Sequence, residues 1–257
     1  MDIFVLDILR GVDGEQYWEA FEQELTPRLN VIAALMRIQK NPINIYGHPT
    51  TPVVWESGCL EEVCGSCSML INGVPRQACS AILENLMEES GTPIITLAPL
   101  SKFPLIRDLC VDRSCMFSHL KRIKAWVPVD GYYPAGPGPD VTPEKQEIMY
   151  QHSTCMTCGC CLEACPQFNS HSPFIGPAAI GQARLFSIHP TARSLHTERS
   201  RILQQEDGIA SCGNAQNCVR VCPKKIPLTD AIAAAGRDTT VQAIKDLFGL
   251  PERGGSD

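Results

Sequence analysis

The sequence predicts an α+β protein, with a small sheet that grasps one helix in residues 1–108 and an all-helical domain in residues 109–257. Three observations lead to this prediction. The first half alternates short apolar runs with turn residues, which is the pattern of strands joined by tight turns. The second half contains apolar residues at helical spacing and no strand pattern. The 14 cysteines of the chain are clustered, and clusters lie in both halves.

The elements of the first half follow from local signals. Asn30 has the chemistry of a helix N-cap, and this helix is expected to end before Pro42. A turn is expected at residues 12–14, and the pair Asn72-Gly73 favours a hairpin turn. Short strands are expected at residues 3–6, 17–21, 53–55 and 94–97.

The second half is expected to be helical. A helix with a basic end is predicted at residues 112–125. The Pro- and Gly-rich stretch at 128–143 is expected to be an ordered connector, because proline restricts the backbone. Thr142 and Pro143 have the chemistry of an N-cap and a first helical residue. Further helices are expected at residues 177–186, 198–205, 228–235 and 239–248.

The overall composition narrows the class of protein. The net charge of −6 argues against nucleic acid as a partner, because phosphate binding needs a basic surface. No stretch approaches the ~18 consecutive apolar residues of a membrane span. The first residues have neither the basic segment nor the cleavage site of a secretory signal, so the cytoplasm is the expected compartment. In a reducing compartment, clustered cysteines indicate metal sites and not disulfides.

The strongest motif of the first half is Cys59-x4-Cys64-x2-Cys67-x11-Cys79. A curled loop, here named the plant-type loop (residues 59–67), can aim three thiolates at one point, and the fourth arrives from the hairpin. This spacing is typical of plant-type 2Fe-2S ferredoxins, whose strand and helix context also matches. Gly65 and Ser66 leave room for backbone N–H groups to approach the sulfides. Four thiolates also suit zinc, although zinc knuckles favour paired C-x2-C spacing.

The second half contains two related runs. The first ferredoxin run, Cys155-x2-Cys158-x2-Cys161-x3-Cys165-Pro166, matches the bacterial ferredoxin motif, in which the fourth cysteine ligates the other cluster. The second ferredoxin run is Cys212-x2-Ala215-x2-Cys218-x3-Cys222-Pro223. Exchanging the fourth cysteines predicts a 4Fe-4S cluster with the ligands Cys155, Cys158, Cys161 and Cys222. The remaining cluster then has the ligands Cys165, Cys212 and Cys218.

Ala215 decides the type of the third cluster, because it stands where the second ferredoxin run lacks a cysteine. An iron at this corner would have no protein ligand, so a 3Fe-4S cluster is the simplest occupant. A 4Fe-4S cluster with water or hydroxide on the odd iron is the alternative. Three further cysteines, Cys110, Cys115 and Cys160, are interpreted as free thiols. The prediction is thus an N-terminal β-grasp 2Fe-2S ferredoxin domain followed by an all-α two-cluster ferredoxin domain.

Several motifs together resemble one known family across nearly the whole chain. They are Cys59-Leu-Glu-Glu-Val-Cys64-Gly-Ser-Cys67-Ser-Met, Asn72-Gly73, Arg76-Gln-Ala-Cys79, Phe103-Pro-Leu-Ile-Arg-Asp-Leu, Val111-Asp-Arg, the two ferredoxin runs, Phe174-Ile-Gly-Pro177 and Arg237-Asp238. With these motifs the chain is similar to the iron–sulfur subunit of succinate dehydrogenase and fumarate reductase.

The resemblance implies a role. A flavoprotein partner with covalent FAD oxidises succinate to fumarate, and electrons pass singly through the 2Fe-2S, 4Fe-4S and 3Fe-4S clusters to a quinone near a membrane anchor. This chain has no G-x-G-x-x-G fingerprint, so flavin and succinate are expected on the partner. The implied location is the cytoplasmic face of the cell membrane, where the chain would be a peripheral subunit of a membrane complex.

The resemblance also indicates where the quinone would bind. Its vicinity would include Pro166, Ser170, His171, Gly213 and Ala215. Ubiquinone-linked members carry a tryptophan and a histidine at the positions of Ser170 and Gly213, so a ubiquinone-type site is not expected. The loop Cys59-Leu-Glu-Glu-Val-Cys64, with Arg76-Gln-Ala-Cys79, looks more like menaquinone-linked members, whose anchor is a di-haem cytochrome b.

Three other functions stay open from the sequence alone. The same subunit would also serve a quinol:fumarate reductase, because the direction follows the cluster potentials and the quinone couple. A stand-alone ferredoxin-like carrier is the second, although the length of the chain and the lack of a strongly acidic tail argue against it. A zinc-stabilised scaffold is the third, and iron content would exclude it.

Overall fold

The computed structural model describes residues 3–12, 14–128 and 140–250. Parts of two expected features, the turn at 12–14 and the connector at 128–143, lie outside these residues. The chain divides into two compact units. The first unit comprises Met1–Arg113 and Met156–Ala164, and the second comprises Ser114–Cys155 and Cys165–Asp257.

Strands and α-helices alternate in the first part of the described chain, and only helices follow. The strands are β1 (Ile3–Val12), β2 (Glu15–Glu24), β3 (Ser68–Ile71), β4 (Val74–Gln77), β5 (Ile94–Ala98), β6 (Leu105–Arg107) and β7 (Cys110–Val111). The α-helices are α1 (Val31–Lys40), α2 (Leu83–Ser90), α3 (Ser114–Arg122), α4 (Pro143–Ser153), α5 (Cys160–Glu163), α6 (Pro177–Ile188), α7 (His196–Leu203), α8 (Asn217–Arg220) and α9 (Leu228–Phe248). Single 3-10 turns lie at Ala192–Leu195 and Ile209–Ser211.

The first unit is built on a five-stranded sheet with the strand order β2-β1-β5-β3-β4. β1 pairs antiparallel with β2 and parallel with β5, and β3 pairs antiparallel with both β4 and β5. Alternate residues of β1, Phe4, Leu6 and Ile8, are fully buried and form one core with Ile32 and Leu35 of α1. A period of two on the strand thus meets the apolar face of one helix, as the prediction requires.

Two local signals from the sequence are confirmed in the first unit. Asn30 caps α1, because its Oδ1 accepts a hydrogen bond from the backbone N–H of Ala33 at 2.8 Å. Its Nδ2 donates to the carbonyl oxygen of Cys79 at 3.0 Å, so the helix cap also fixes a cysteine. Asn72 and Gly73 have φ values of 48° and 75°, which are the left-handed values of a type I′ turn.

The strand predicted at residues 53–55 is wrong, since these residues belong to no strand. The backbone N–H of Val54 donates to Asp108 Oδ2 at 2.8 Å, and its carbonyl accepts from Leu109 N at 3.1 Å. A buried carboxylate thus takes the place of a neighbouring strand. The sequence analysis also missed α2, which begins after Ile82 without any side-chain cap. A helix that lacks a capping residue gives little signal in a sequence.

A buried ion network links β1 to the segment that leads into the plant-type loop. Arg10 is 1% exposed, and its guanidinium contacts Glu19 at 2.6 Å and Asp108 at 3.3 Å. The same guanidinium donates to Thr51 Oγ1 at 3.1 Å and to the carbonyl of Pro52 at 3.2 Å. Because every contact satisfies a buried polar group, the network fixes the chain a few residues before the first cysteine.

The described residues of the second unit form helices joined by loops, with no strand among them, which agrees with the predicted all-helical class. Its core is formed by Ile123, Phe174, Ile180, Leu203 and Ala235, all buried. Two cysteines of the ferredoxin runs, Cys165 and Cys212, pack against this core. The packing of α6 against α4 and α9 therefore determines where these two sulfurs lie.

Helix boundaries in the second unit agree with the sequence in part. Thr142 caps α4 with Pro143 as the first helical residue, as predicted. The helix predicted at 112–125 is shorter, Ser114–Arg122. The helices predicted at 228–235 and 239–248 are one continuous helix, α9, because Ala235 and Thr239 are buried on either side of Gly236. Glycine costs a helix only about 1 kcal/mol, which such burial offsets. Within the described residues, none of the helices is both long and apolar enough to span a membrane.

Removing Asp108 should destabilise the first unit strongly. We expect Asp108→Ala to lower the free energy of unfolding by about 3–5 kcal/mol, because it leaves the Arg10 charge buried with one partner fewer. Glu89→Ala is the control, since Glu89 pairs with Arg76 on the surface at 3.1 Å with 58% of its side chain exposed. That pair should contribute less than about 1 kcal/mol. Denaturation followed by circular dichroism measures both, and equal small losses would contradict the role of Asp108.

Candidate metal centres

The plant-type loop directs backbone N–H groups at cysteine sulfurs. The N–H groups of Glu61, Val63 and Cys64 lie 3.3, 3.2 and 3.4 Å from Cys59 Sγ. The N–H of Glu62 lies 3.3 Å from the sulfur of the fourth cysteine, Cys79. Donors on every residue from 61 to 64 therefore face sulfur, which is the environment that a negatively charged iron–sulfur cluster needs.

Left-handed backbone conformations produce this arrangement. Leu60, Glu62 and Gly65 have φ values of 61°, 54° and 74°. Alternation of right- and left-handed residues turns successive N–H groups to one side of the chain and forms an anion-binding concavity. Two of these three residues are not glycine, and each such residue costs about 1–3 kcal/mol in strain. The loop is thus shaped for an anionic group and not for its own stability.

The four sulfurs differ in their surroundings. Cys64 is exposed, and hydrogen bonds from Ser66 lower the pKa of its thiol to about 7. Cys67 is 3% exposed, and burial raises the pKa of its thiol to about 12. The outer thiol therefore ionises readily, whereas the inner one becomes a thiolate only when a metal ion compensates its charge.

Two glycines leave space that the loop requires. A Cβ atom on Gly58 would lie 2.8 Å from Cys64 Sγ, which is too close for any side chain. A Cβ atom on Gly65 would lie 2.7 Å from the carbonyl oxygen of Met156 and 2.9 Å from Cys158 Cβ. The close approach at Gly65 brings the plant-type loop against the middle of the first ferredoxin run within the first unit.

The two ferredoxin runs share one backbone pattern. In the first run, Thr157 and Gly159 have φ values of 53° and 89°, and the short helix α5 follows. In the second run, Asn214 and Gln216 have φ values of 50° and 59°, and the short helix α8 follows. The left-handed residues stand two and four places after the first cysteine in both runs. Ala215, between them, therefore occupies the position that Cys158 occupies in the first run.

Three cysteines converge within the second unit. Cys165, Cys212 and Cys218 line one cavity. Burial raises the pKa of the Cys218 thiol, and the neighbouring charges of Cys165 and Cys212 raise it further, which shows that the three sulfurs lie near one another. Ala215 lines the same cavity, without a ligand atom to offer. A 4Fe-4S cluster normally has four cysteine ligands. This cavity offers three cysteine sulfurs, with Ala215 in place of the fourth ligand.

The residues predicted near the quinone are only partly brought together. Pro166 and Gly213 line the same cavity as the three cysteines and Ala215. Ser170 and His171 are exposed and do not line it; they follow Asn169, whose Oδ1 accepts a hydrogen bond from the N–H of His171 at 2.9 Å.

The remaining predicted ligands are divided between the two units: Cys158 and Cys161 belong to the first, and Cys155 and Cys222 to the second. Cys155 follows α4, and its backbone N–H donates to the carbonyl of His152 at 3.3 Å. Cys158 and Cys161 lie in the first unit on either side of the buried Cys160. A hydrogen bond from Cys160 lowers the pKa of Cys158 to about 7. Cys222 accepts a hydrogen bond from the N–H of Ile226 at 3.4 Å. In the described residues, no group of three His, Cys, Asp or Glu side chains is placed as the ligands of one metal ion.

The sequence did not reveal the roles of two charged residues of these sites, Arg113 and Glu163, although Arg113 stands in the motif Val111-Asp-Arg. Arg113 donates to the carbonyl oxygens of Gly65 at 2.7 Å and Cys158 at 3.5 Å, so it holds two cysteine loops of the first unit together. Glu163 is 7% exposed and accepts from Ser101 Oγ at 2.6 Å. Spacing relative to the cysteines does not mark either residue, because both act through the fold.

Comparison with known proteins agrees with both cysteine patterns. Residues 6–118 match the family model described as a 2Fe-2S iron–sulfur cluster binding domain, and residues 151–226 match that of a 4Fe-4S dicluster domain. The chain is 52% identical over 246 residues to the succinate dehydrogenase iron–sulfur subunit of Bacillus subtilis (strain 168), covering 96% of this chain and 95% of that one. The chain belongs to the succinate dehydrogenase/fumarate reductase iron–sulfur subunit family.

Other similar proteins are more distant. The fumarate reductase iron–sulfur subunit of Wolinella succinogenes is 32% identical over 177 residues, covering 68% of this chain and 72% of that one. A chain from the structure titled "Mycobacterium smegmatis Sdh1 complex in the apo form" superposes with a TM-score of 0.80 at 24% identity, over 94% of this chain and 97% of that one. This structural match supports the α+β fold.

Family membership confirms the predicted fold class and function. The chain transfers electrons through iron–sulfur clusters and is part of an oxidoreductase complex. It contains a 2Fe-2S domain followed by a 4Fe-4S dicluster domain. A zinc-stabilised scaffold is excluded by these matches.

A side chain at Gly58 should prevent cluster binding in the plant-type loop. We expect Gly58→Ala to lose most of the 2Fe-2S signal in electron paramagnetic resonance after dithionite reduction, because the added Cβ displaces Cys64 Sγ. Gly236→Ala is the matched control, since Gly236 lies within α9 and its Cβ would lie 3.8 Å from Ile209 Cγ1, which is ordinary van der Waals contact. The control should keep the full signal. An undiminished 2Fe-2S signal in Gly58→Ala would show that Cys64 does not need its present position.

Proposed function

We propose that this chain is the electron-transfer subunit of a membrane-bound succinate:quinone oxidoreductase. It would accept electrons from a flavoprotein partner that holds covalent FAD and oxidises succinate, and pass them singly through a 2Fe-2S, a 4Fe-4S and a 3Fe-4S cluster to a quinone. The observation that carries the proposal is the combination of three cysteine sets: a plant-type loop whose backbone N–H groups face two cysteine sulfurs, and two ferredoxin runs that share one backbone pattern. The 52% identity to a succinate dehydrogenase subunit favours succinate oxidation as the direction.

For the 2Fe-2S cluster we assign the ligands Cys59, Cys64, Cys67 and Cys79. Support comes from the N–H groups of residues 61–64, which lie 3.2–3.4 Å from two of these sulfurs. When bound, the cluster supplies a one-electron carrier. The N–H groups of the loop stabilise negative charge on the sulfurs, and the buried side of the loop excludes water from Cys67 and Cys79.

For the 4Fe-4S cluster we assign Cys155, Cys158, Cys161 and Cys222, and for the 3Fe-4S cluster Cys165, Cys212 and Cys218. The exchange of the fourth cysteines is the rule for two-cluster ferredoxins. Support for the second set comes from the shared cavity of its three cysteines. The repeated backbone pattern supports the type of that cluster, because Ala215 stands at the position of Cys158 and brings no ligand.

The electron acceptor is proposed to be menaquinone near the cavity of the 3Fe-4S ligands. Pro166, Gly213 and Ala215 line this cavity, and Ser170 and His171 follow within a few residues of Pro166. A side chain at Gly213 would meet Gln167 Nε2 at 2.7 Å, so the glycine suits the packing of this loop. The partner in the membrane is proposed to be a cytochrome b anchor with two haems, which would place this chain at the cytoplasmic face of the cell membrane.

A quinol:fumarate reductase is the second candidate function. It rests on the 32% identity to a fumarate reductase subunit over two thirds of the chain. Both functions use the same clusters in the same order, so the cysteine sites support them equally. The potentials of the clusters and of the quinone couple decide the direction of electron flow.

Exchange of the fourth cysteines is tested by a matched pair of variants. Cys222→Ser should damage the 4Fe-4S signal although the residue lies in the second ferredoxin run. Cys165→Ser should damage the 3Fe-4S signal although it lies in the first. Low-temperature electron paramagnetic resonance of the oxidised and reduced complex distinguishes the two clusters. If each variant instead lost the cluster of its own run, the exchanged assignment would be wrong.

Quinone identity is tested by organic extraction of the purified complex and chromatography. Menaquinone is the expected species, because the positions of the ubiquinone-type tryptophan and histidine hold Ser170 and Gly213. Recovery of ubiquinone alone would contradict the proposal. Extraction from membranes without the complex is the control for adventitious lipid.

A further inference from the structure

A buried amide lies between two cysteine loops inside the first unit. Gln77, the last residue of β4, is 1% exposed, and the two thiols beside it, Cys67 and Cys160, are 3% and 0% exposed. Gln77 Oε1 lies 3.5 Å from Cys67 Sγ, and Gln77 Nε2 lies 3.5 Å from Cys160 Sγ. Nε2 also donates to Ser68 Oγ at 2.8 Å. The amide therefore contacts a proposed 2Fe-2S ligand at one end and the first ferredoxin run at the other.

The observed orientation of the amide suits only a protonated Cys67, which donates its S–H to Oε1. A sulfur that ligates iron is a thiolate and has no hydrogen to donate. A carbonyl oxygen beside a thiolate is then a contact between two acceptors, which is unfavourable in a buried site. Because the two ends of an amide have nearly the same shape, a half-turn exchanges donor and acceptor without moving the backbone.

A half-turn leaves no buried group without a partner. Ser68 Oγ now donates to the carbonyl of Gly65 at 2.7 Å, and that carbonyl also accepts from Arg113 Nη1 at 2.7 Å. Ser68 is therefore free to donate to the turned Oε1 while the Gly65 carbonyl keeps its bond from Arg113. Complete satisfaction of this kind is what buried polar groups require.

We propose that, in the cluster-loaded protein, Gln77 Nε2 donates a hydrogen bond to Cys67 Sγ and thereby raises the reduction potential of the 2Fe-2S cluster. The proposal rests on the assignment of Cys67 as a ligand of that cluster. A donor beside a ligating sulfur stabilises the more negative, reduced state, and hydrogen bonds to sulfur are among the determinants of cluster potential. Gln77 thus acts as a positioning residue for the sulfur. The Gln77 amide also contacts Cys160 Sγ, so the same side chain touches both the 2Fe-2S ligand Cys67 and the first ferredoxin run.

The first test compares two glutamine variants in the assembled complex. Gln77→Leu removes the donor and keeps the size of the side chain, so the midpoint potential of the 2Fe-2S cluster should fall in a redox titration monitored by paramagnetic resonance. Gln23→Leu is the matched control, because the Gln23 amide donates to the carbonyl of Ala34 at 3.1 Å and not to sulfur. The control should leave the potential unchanged. An unchanged potential in Gln77→Leu, with the cluster fully present, would overturn the proposal.

A second test uses the unaltered sequence, so it does not depend on how a variant folds. With glutamine side chains labelled with ¹⁵N, pulsed paramagnetic resonance of the reduced 2Fe-2S cluster should show coupling to an amide nitrogen. Absence of this coupling would overturn the proposal for Gln77. Cys67→Ser distinguishes a wrong ligand assignment from a wrong role of Gln77. An unchanged 2Fe-2S spectrum in this variant would refute the assignment of Cys67 as a ligand. A changed spectrum in the variant, together with no glutamine coupling in the unaltered protein, would refute only the role of Gln77.

Discussion

The structure depends on one electrostatic constraint: sulfur atoms that carry negative charge must be surrounded by hydrogen-bond donors. In a tight loop the closest available donors are backbone N–H groups. They point toward the sulfurs only if some residues of the loop adopt left-handed conformations. The plant-type loop meets this constraint at Leu60, Glu62 and Gly65. The two ferredoxin runs meet it with left-handed residues at identical offsets from their first cysteine. The rest of each unit serves to hold these strained loops in place.

The fold supplies that support through a few buried polar contacts. The network around Arg10 and Asp108 fixes the chain ahead of Cys59, and the cap of α1 fixes Cys79. Arg113 joins the plant-type loop to the first ferredoxin run by bonds to carbonyl oxygens, and Gly65 allows their close approach. Strain in the loops is thus offset by packing and hydrogen bonds elsewhere in the same unit, as is common at functional sites.

The sequence predicts most of the site and less of its support. Cysteine spacing is set by cluster geometry, so all eleven proposed ligands and the alanine at 215 are evident before any fold is known. The hairpin at Asn72-Gly73 and the cap at Asn30 are equally local. The strand predicted at 53–55 does not form, because the backbone N–H of Val54 bonds to the Asp108 side chain and not to a neighbouring strand. The periodicity of apolar residues does not reveal such a partner. Gln77 and Arg113 lie in motifs that carry the family resemblance, but their roles were not predicted, because these roles depend on contacts between segments far apart in the chain.

Ala215 leaves one cluster corner without a protein ligand, so we expect the chain to carry a 3Fe-4S centre beside its other two clusters. Low-temperature paramagnetic resonance of the air-oxidised complex, with chemical determination of iron, tests it most directly. We expect a signal from an oxidised three-iron cluster before any reductant is added, and about nine iron atoms in this chain after the haem iron is subtracted. Silence in the oxidised state, with about ten iron atoms, would mean that the corner at Ala215 is occupied.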